Sequence, residues 1–178
     1  RASDTRGRGL ERLTRLADAG RITTIDGRDT VQVELDIEIS RPELPAQNVA
    51  AVLPGRGELA DEWIVIGGHY DHLGHGYVGS RSNSDEIHYG ADDNASGVGA
   101  VLVLADRLSR FEYDGDQRSI LFIGFDAEEA GLHGSKWFLD NGPIDPDSIS
   151  CMLNMDMMGR LRGNTVSVSG TGTAEEFD

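Results

Sequence analysis

Residues 63–76 read WIVIGGHYDHLGHG: four apolar residues, two glycines, then three of the chain's five histidines within seven positions. The run Trp63–Ile66 shows no polar alternation, so it is expected to be a strand covered on both faces. Such strands belong to α/β sheets, and open α/β sheets bind ligands beyond the carboxyl ends of their strands. The histidine cluster therefore stands where a site is expected. A metal centre, a nucleotide loop and a polar surface turn are the readings to separate.

Apolar strands and helical patterns alternate through the rest of the chain. Leu10–Ala19 has leucines at helical spacing and is closed by Gly20, and Val31–Ile39 alternates with period two, as a half-exposed strand does. Asn48–Leu53 is a short strand candidate ended by Pro54-Gly55, and Leu73–Asp92 is a long polar loop. Ala95–Arg110 reads as a helix whose stripe is Val98, Val101, Leu102, Ala105 and Leu108. Ser119–Phe125 is a second buried strand, Glu128–Asn141 a helix stopped by Gly142-Pro143, Ile149–Met155 a third buried strand, and Thr165–Val168 the last. The expected architecture is one α/β domain over residues 31–178. Residues 1–30 are a lead-in helix and linker, the end of something upstream.

The 178 residues suffice for one domain with a sizeable core. A net charge of −15 argues against a nucleic-acid partner, which needs a basic face to neutralise phosphates. The longest apolar run, Val98–Ala105, is too short to span a bilayer. No charged-then-apolar leader stands at Arg1, and an opening on Arg rather than Met suggests prior processing or trimming. The single cysteine, Cys151, excludes an internal disulfide and is expected to be a buried, inert thiol.

The strand ends carry the chemistry. The strand at 63–66 leads to His69 and Asp71, the strand at 119–125 to Asp126, Glu128 and Glu129, and the strand at 149–155 to Asp156. The helix at 95 is entered through Asp92-Asp93-Asn94. Taken singly, the Glu pair is an ordinary acidic helix start, the Asp-Asp-Asn run a turn and cap, and His69 a hydrogen-bonded histidine. Taken together, four segments bring His and carboxylate donors to one sheet edge, a donor set suited to zinc or a related divalent ion. One Asp can bridge two such ions, having two oxygens. Asp71, two residues after His69 on an extended chain, is placed to accept the second ring N–H of that histidine. Neighbouring side chains diverge, so one of Glu128 and Glu129 can ligate metal while the other serves as general base.

Other motifs lack the context they need. Gly74–Gly79 matches G-x-G-x-x-G but runs into SRSNSDE instead of a helix, so no helix N-terminus is offered to a pyrophosphate. Asn94-Ala95-Ser96 matches a glycosylation sequon, yet a glycan there would block the site. His72, His75 and His88 are read as unliganded loop residues.

The stretches VIGGHYDHLG, GADDNASGVGAVL, IGFDAEEAGLHGS and LNMDMMGRL, in that order, resemble the M28 family of zinc aminopeptidases, over about residues 45–170. The resemblance implies the phosphorylase/peptidyl-transferase-hydrolase-like zinc exopeptidase fold: a mixed, mostly parallel twisted sheet with helices on both faces, here cut short at its C-terminal end. It implies two zinc ions and metal ligands at His69, Asp93, Glu129 and Asp156. It also implies a supporting Asp71, a general base at Glu128 and a cis peptide bond between Asp93 and Asn94. Asp93 would bridge the ions, with His69 and Asp156 on one and Glu129 on the other. The fifth ligand of the family is a histidine far downstream, beyond Asp178, so one ligand set is complete here and one is not; His133, four residues after Glu129, is the less favoured substitute. The implied activity is removal of N-terminal residues from peptides, in a secreted or periplasmic setting. A glutaminyl-cyclase-like acyltransferase and a metal-binding but inactive module are the alternatives.

Overall fold

The computed structural model describes residues 15, 43–76, 80, 86–161 and 163–174. The helix expected over Leu10–Ala19 and the strand over Val31–Ile39 fall outside these, apart from residue 15. Of the chain's two compact units, Arg1–Glu43 and Leu44–Asp178, the second holds every element that follows.

Four strands form one mixed sheet: β1 (Val49–Leu53), β2 (Trp63–His69), β3 (Ser119–Phe125) and β4 (Ile149–Asn154), in the order β1-β3-β2-β4. β2 runs parallel to β3 and to β4, while β1 pairs antiparallel with β3. Helix α1 (Gly97–Ser109) and helix α2 (His133–Asn141) serve opposite faces. Strand side chains alternate between those faces, and the core divides accordingly. Ile66, Ile120 and Phe122 pack with Val101, Leu104, Ala105 and Leu108 of α1. Val65, Leu121, Ile123 and Phe125 pack with Phe138 of α2 and with Ile144. The mostly parallel sheet covered on both faces is therefore as expected from the unbroken apolar runs.

Several sequence expectations change. β2 extends three residues beyond Ile66, because Gly67, Gly68 and His69 keep pairing with Ile123, Gly124 and Phe125. On α1 the inward stripe includes Leu104 rather than Leu102, which is 65% exposed. β4 is not a buried strand: Met152 and Leu153 are exposed, since among the described residues no strand lies beyond it. Cys151 on this strand is a free thiol, partly exposed. Residues 165–168 form no strand, and Val166 and Val168 are exposed.

The second helix begins later than its pattern suggests. Ala127 takes a left-handed φ of 54° and swings the chain away from the β3 direction. Residues 128–132 then close a turn in which Gly131 N–H and Leu132 N–H both donate to the Glu128 carbonyl, each at 2.9 Å. Gly134 N–H returns to the Asp126 carbonyl at 3.0 Å, and a Cβ on Gly134 would sit 2.3 Å from that oxygen. Glu128 and Glu129 thus lie on a tight turn, and α2 starts only at His133.

Candidate metal centre

Strand register assembles the site. His69 ends β2 opposite Phe125, the last residue of β3, and the Met155 N–H reaches the Gly67 carbonyl at 2.7 Å. His69, Asp126 and Asp156 are therefore delivered to one edge. Two glycines allow this closeness: a Cβ on Gly68 would stand 2.6 Å from the Met155 carbonyl oxygen, and one on Gly97 2.3 Å from the same atom.

The fourth contribution is the turn Ala91–Ser96, which enters α1 through non-helical conformations at Asp93 and Asn94 and a cis Asp93–Asn94 peptide. Asn94 is 2% exposed and is the tie between this turn and the segment around Asp156. Its Nδ2 donates to the Met155 carbonyl at 2.9 Å, and its Oδ1 accepts from Gly97 N–H at 3.1 Å and Met157 N–H at 3.2 Å. A side chain so committed cannot carry the glycan that its sequon suggests. Asp92 adds a second tie, with Oδ1 accepting from Gly159 N–H at 2.9 Å.

Three carboxylates converge on one buried imidazole nitrogen. His69, 4% exposed, points Nε2 at Asp93 Oδ1 (3.2 Å), Asp156 Oδ1 (3.7 Å) and Glu128 Oε2 (4.0 Å). Its other nitrogen, Nδ1, donates to the Asp71 carbonyl at 3.1 Å. That bond uses a proton on Nδ1, so Nε2 is the ring nitrogen left to face the acids or to hold a metal. The Asp71 carboxylate stands 3.7 Å from Nδ1 and does something other than the i, i+2 spacing suggests. It accepts from the Glu128 N–H at 3.0 Å and the Glu129 N–H at 3.2 Å, anchoring the turn that carries both acids. Burial pushes the Glu128 carboxyl pKa up; His69 opposes this, while the charges of Glu129, Asp71 and Asp156 add to it.

Two groups of donors have the spacing to hold an ion: His69 with Asp93 and Asp156, and His72 with Asp93 and Glu129. All four sequence-proposed ligands are therefore brought together, with Glu128 beside them. His72 is the residue that sequence reasoning set aside. Its Nδ1 lies 2.7 Å from Glu129 Oε1 without hydrogen-bond geometry, and both atoms are buried with no hydrogen-bond partner among the described residues. Nitrogen and carboxylate donors with orphaned buried atoms fit a zinc-type ion. His133, exposed at the start of α2, joins neither group, and His88 instead meets Ser80 Oγ at 3.0 Å.

The model of peptidase family M28 matches residues 48–178. Among curated relatives, a probable zinc metalloprotease of Pyrenophora teres f. teres (strain 0-1) is 34% identical over 119 residues, 64% of this chain and 23% of that protein. Leucine aminopeptidase 1 of Trichophyton equinum is 32% identical over 121 residues, 65% of this chain and 30% of that protein. The chain thus spans between about a quarter and a third of the length of these relatives. Among solved structures, a glutaminyl cyclase of Porphyromonas gingivalis aligns with a TM-score of 0.50 at 24% identity, over 64% of this chain and 41% of that one, a likeness of fold.

Proposed function

The chain belongs to peptidase family M28, and on that premise we propose that it carries the metal-binding part of a zinc-dependent aminopeptidase acting on peptides with a free N-terminus. The observation that supports this most is the sharing of Asp93 by two donor groups. A carboxylate can bridge two ions about 3.5–4 Å apart, the spacing of two-metal hydrolase sites. His69, Asp93 and Asp156 would hold one zinc, while Asp93 and Glu129 would serve the other. Bound there, zinc supplies polarisation of the scissile carbonyl and a water of lowered pKa.

The chain's own residues do the rest. The Nδ1 bond of His69 to the Asp71 carbonyl leaves Nε2 as the ring nitrogen that holds the metal. Asp71 fixes the 128–129 turn, so that Glu128 faces the space between the ligands while Glu129 points to the second group. Glu128 accepts the water's proton and passes it to the leaving amine. A carboxyl whose pKa is raised by burial suits that exchange, because it holds the proton between the two steps.

Turnover of an aminoacyl-p-nitroanilide by wild type and Glu128→Gln, with zinc content measured on both, tests the assignment. The expected result is a loss of about 10²–10⁴-fold in kcat with zinc unchanged. Activity near wild type in the zinc-loaded variant refutes the role of Glu128. Ammonia release from an N-terminal glutamine peptide without cleavage would replace the aminopeptidase reading with a cyclase.

A further inference from the structure

Asp71 holds the acid-bearing turn at its tip, through the Glu128 and Glu129 N–H groups. The neck of the same turn, where the chain leaves β3 and approaches α2, is closed by a residue far away in sequence. Asn48, directly before β1, spans it with one side-chain amide. Its Oδ1 accepts from the Asp126 N–H at 3.1 Å, and its Nδ2 donates to the Gly134 carbonyl at 2.8 Å. Between those two partners the main chain makes a third bond, from the Gly134 N–H to the Asp126 carbonyl at 3.0 Å. The pattern fixes the amide in one orientation, since an N–H needs its oxygen and a carbonyl its nitrogen. The fit is tight: a Cβ on Gly134 would stand 2.4 Å from Asn48 Oδ1. The neighbouring residue braces the same corner. The Gln47 N–H donates to Asp126 Oδ2 at 2.9 Å, and the Gln47 carbonyl accepts from the Tyr70 hydroxyl at 2.6 Å. Tyr70 follows His69, so residues 47–48 join the carboxyl ends of β2 and β3 to the start of α2.

We propose that Asn48 is a positioning residue for the reaction: its amide closes the neck of the 126–134 turn and so sets where Glu128 and Glu129 stand relative to His69 and Asp93. This rests on the roles given to the two acids in the preceding subsection. With the tip alone tied, the two arms of the turn can shear past each other about the single Gly134–Asp126 bond. The amide adds two more bonds across the neck and stops that motion. A displacement of about 1 Å at a catalytic group costs on the order of 10²-fold in rate, so a side chain whose partners are all backbone groups can still govern turnover. Asparagine is the residue the neck requires. Aspartate offers no donor to the Gly134 carbonyl, and alanine makes neither bond.

The test is amide hydrogen exchange by NMR on wild type, Asn48→Ala and Asn48→Asp, with aminoacyl-p-nitroanilide turnover per zinc-loaded chain measured on the same samples. In both variants the Glu128 and Glu129 N–H groups should exchange about tenfold faster or more, relative to the Ile123 N–H in the middle of β3. Over the same change kcat should fall about 10–100-fold, with KM within about threefold of wild type. A merely structural role would speed all three amides by one factor and leave the kcat of folded chains as it was; either result overturns the proposal. A wild type that binds zinc without turnover refutes the aminopeptidase reading instead, and the neck is then decided by the exchange comparison alone. One Asn48 Nδ2 proton should be protected in the wild type. Two rapidly exchanging protons there overturn the neck in unaltered protein, so variants that do not fold leave the outcome decidable.

Discussion

Replacement of Asn94 by Ala is expected to cost stability and zinc affinity together, because one buried amide links the two halves of the ligand set. Three hydrogen bonds are lost: Nδ2 to the Met155 carbonyl, and Oδ1 from Gly97 N–H and from Met157 N–H. At about 1 kcal/mol net for each bond, with about 1 kcal/mol more for stranding the buried Gly97 N–H, the loss comes to about 4 kcal/mol. That is a large part of the stability of an ordinary domain. Asn94→Asp separates the bonds from the volume. It keeps both acceptor contacts but sets a carboxylate oxygen against the Met155 carbonyl, and should cost about 2 kcal/mol. Urea unfolding in the presence of a chelator, followed by tryptophan fluorescence, gives both numbers free of any metal contribution. Zinc affinity of the folded variants should fall about 10–100-fold, since the amide holds the Asp93 turn at a set distance from the segment bearing Asp156. An alanine variant within 1 kcal/mol of wild type, or one that binds zinc as well as wild type does, refutes the reasoning.

Other outcomes follow from single contacts. Gly68→Ala should destabilise by about 1–3 kcal/mol in the same assay, because its Cβ would press at 2.6 Å on a backbone carbonyl that cannot swing aside; wild-type stability would show that β2 has more room there. Asp126 is held below the usual carboxylate range: burial opposes this, but the Gln47 and Ala127 N–H groups and the Tyr70 hydroxyl outweigh it. Its folded pKa is depressed, so the stability it adds is complete above the unfolded value of about 3.9 and is lost as pH falls through the folded one. Asp126→Asn should thus lie below wild type at neutral pH, with the gap narrowing towards pH 3; a gap constant across that range contradicts the assignment. Arg160 faces Asp92 Oδ2 at 2.6 Å off hydrogen-bond geometry and is 58% exposed, so Arg160→Ala should cost under about 1 kcal/mol. Asp92→Ala also removes the bonds that Oδ1 accepts from the Gly159 N–H and the Ser96 hydroxyl and should cost more, about 2 kcal/mol; equal losses would show that the ion pair is the whole of the effect.

The strands were legible because their apolar runs end abruptly in chemistry. β3 is bounded by Arg118 and Asp126, and its observed limits are those read from the run itself. The edge to which His69, Asp93, Glu128, Glu129 and Asp156 come followed from the same logic, since parallel strands align their carboxyl ends. What could not be read depends on backbone turns and on contacts distant in sequence. A left-handed alanine at 127 has no sequence signature, and it moves the start of α2 from Glu128 to His133. The pairing of Asp71 with the 128–129 amides crosses 57 residues, whereas spacing along one strand pointed only to its neighbour His69. His72 was passed over because its approach to Glu129 depends on where the Gly90 turn folds back. The available hint was its place directly after Asp71, within reach of the same edge.

Asp93 stands in both candidate donor groups, and on the proposed reading it belongs to two ligand sets at once. Zinc bound per chain, measured after dialysis by atomic emission for wild type, Asp156→Asn, Glu129→Gln and Asp93→Ala, tests it most directly. Two ions in the wild type, one in each of the outer variants and none held tightly in Asp93→Ala is the result expected. An Asp93→Ala protein that remains folded and still keeps one zinc as tightly as wild type would contradict it.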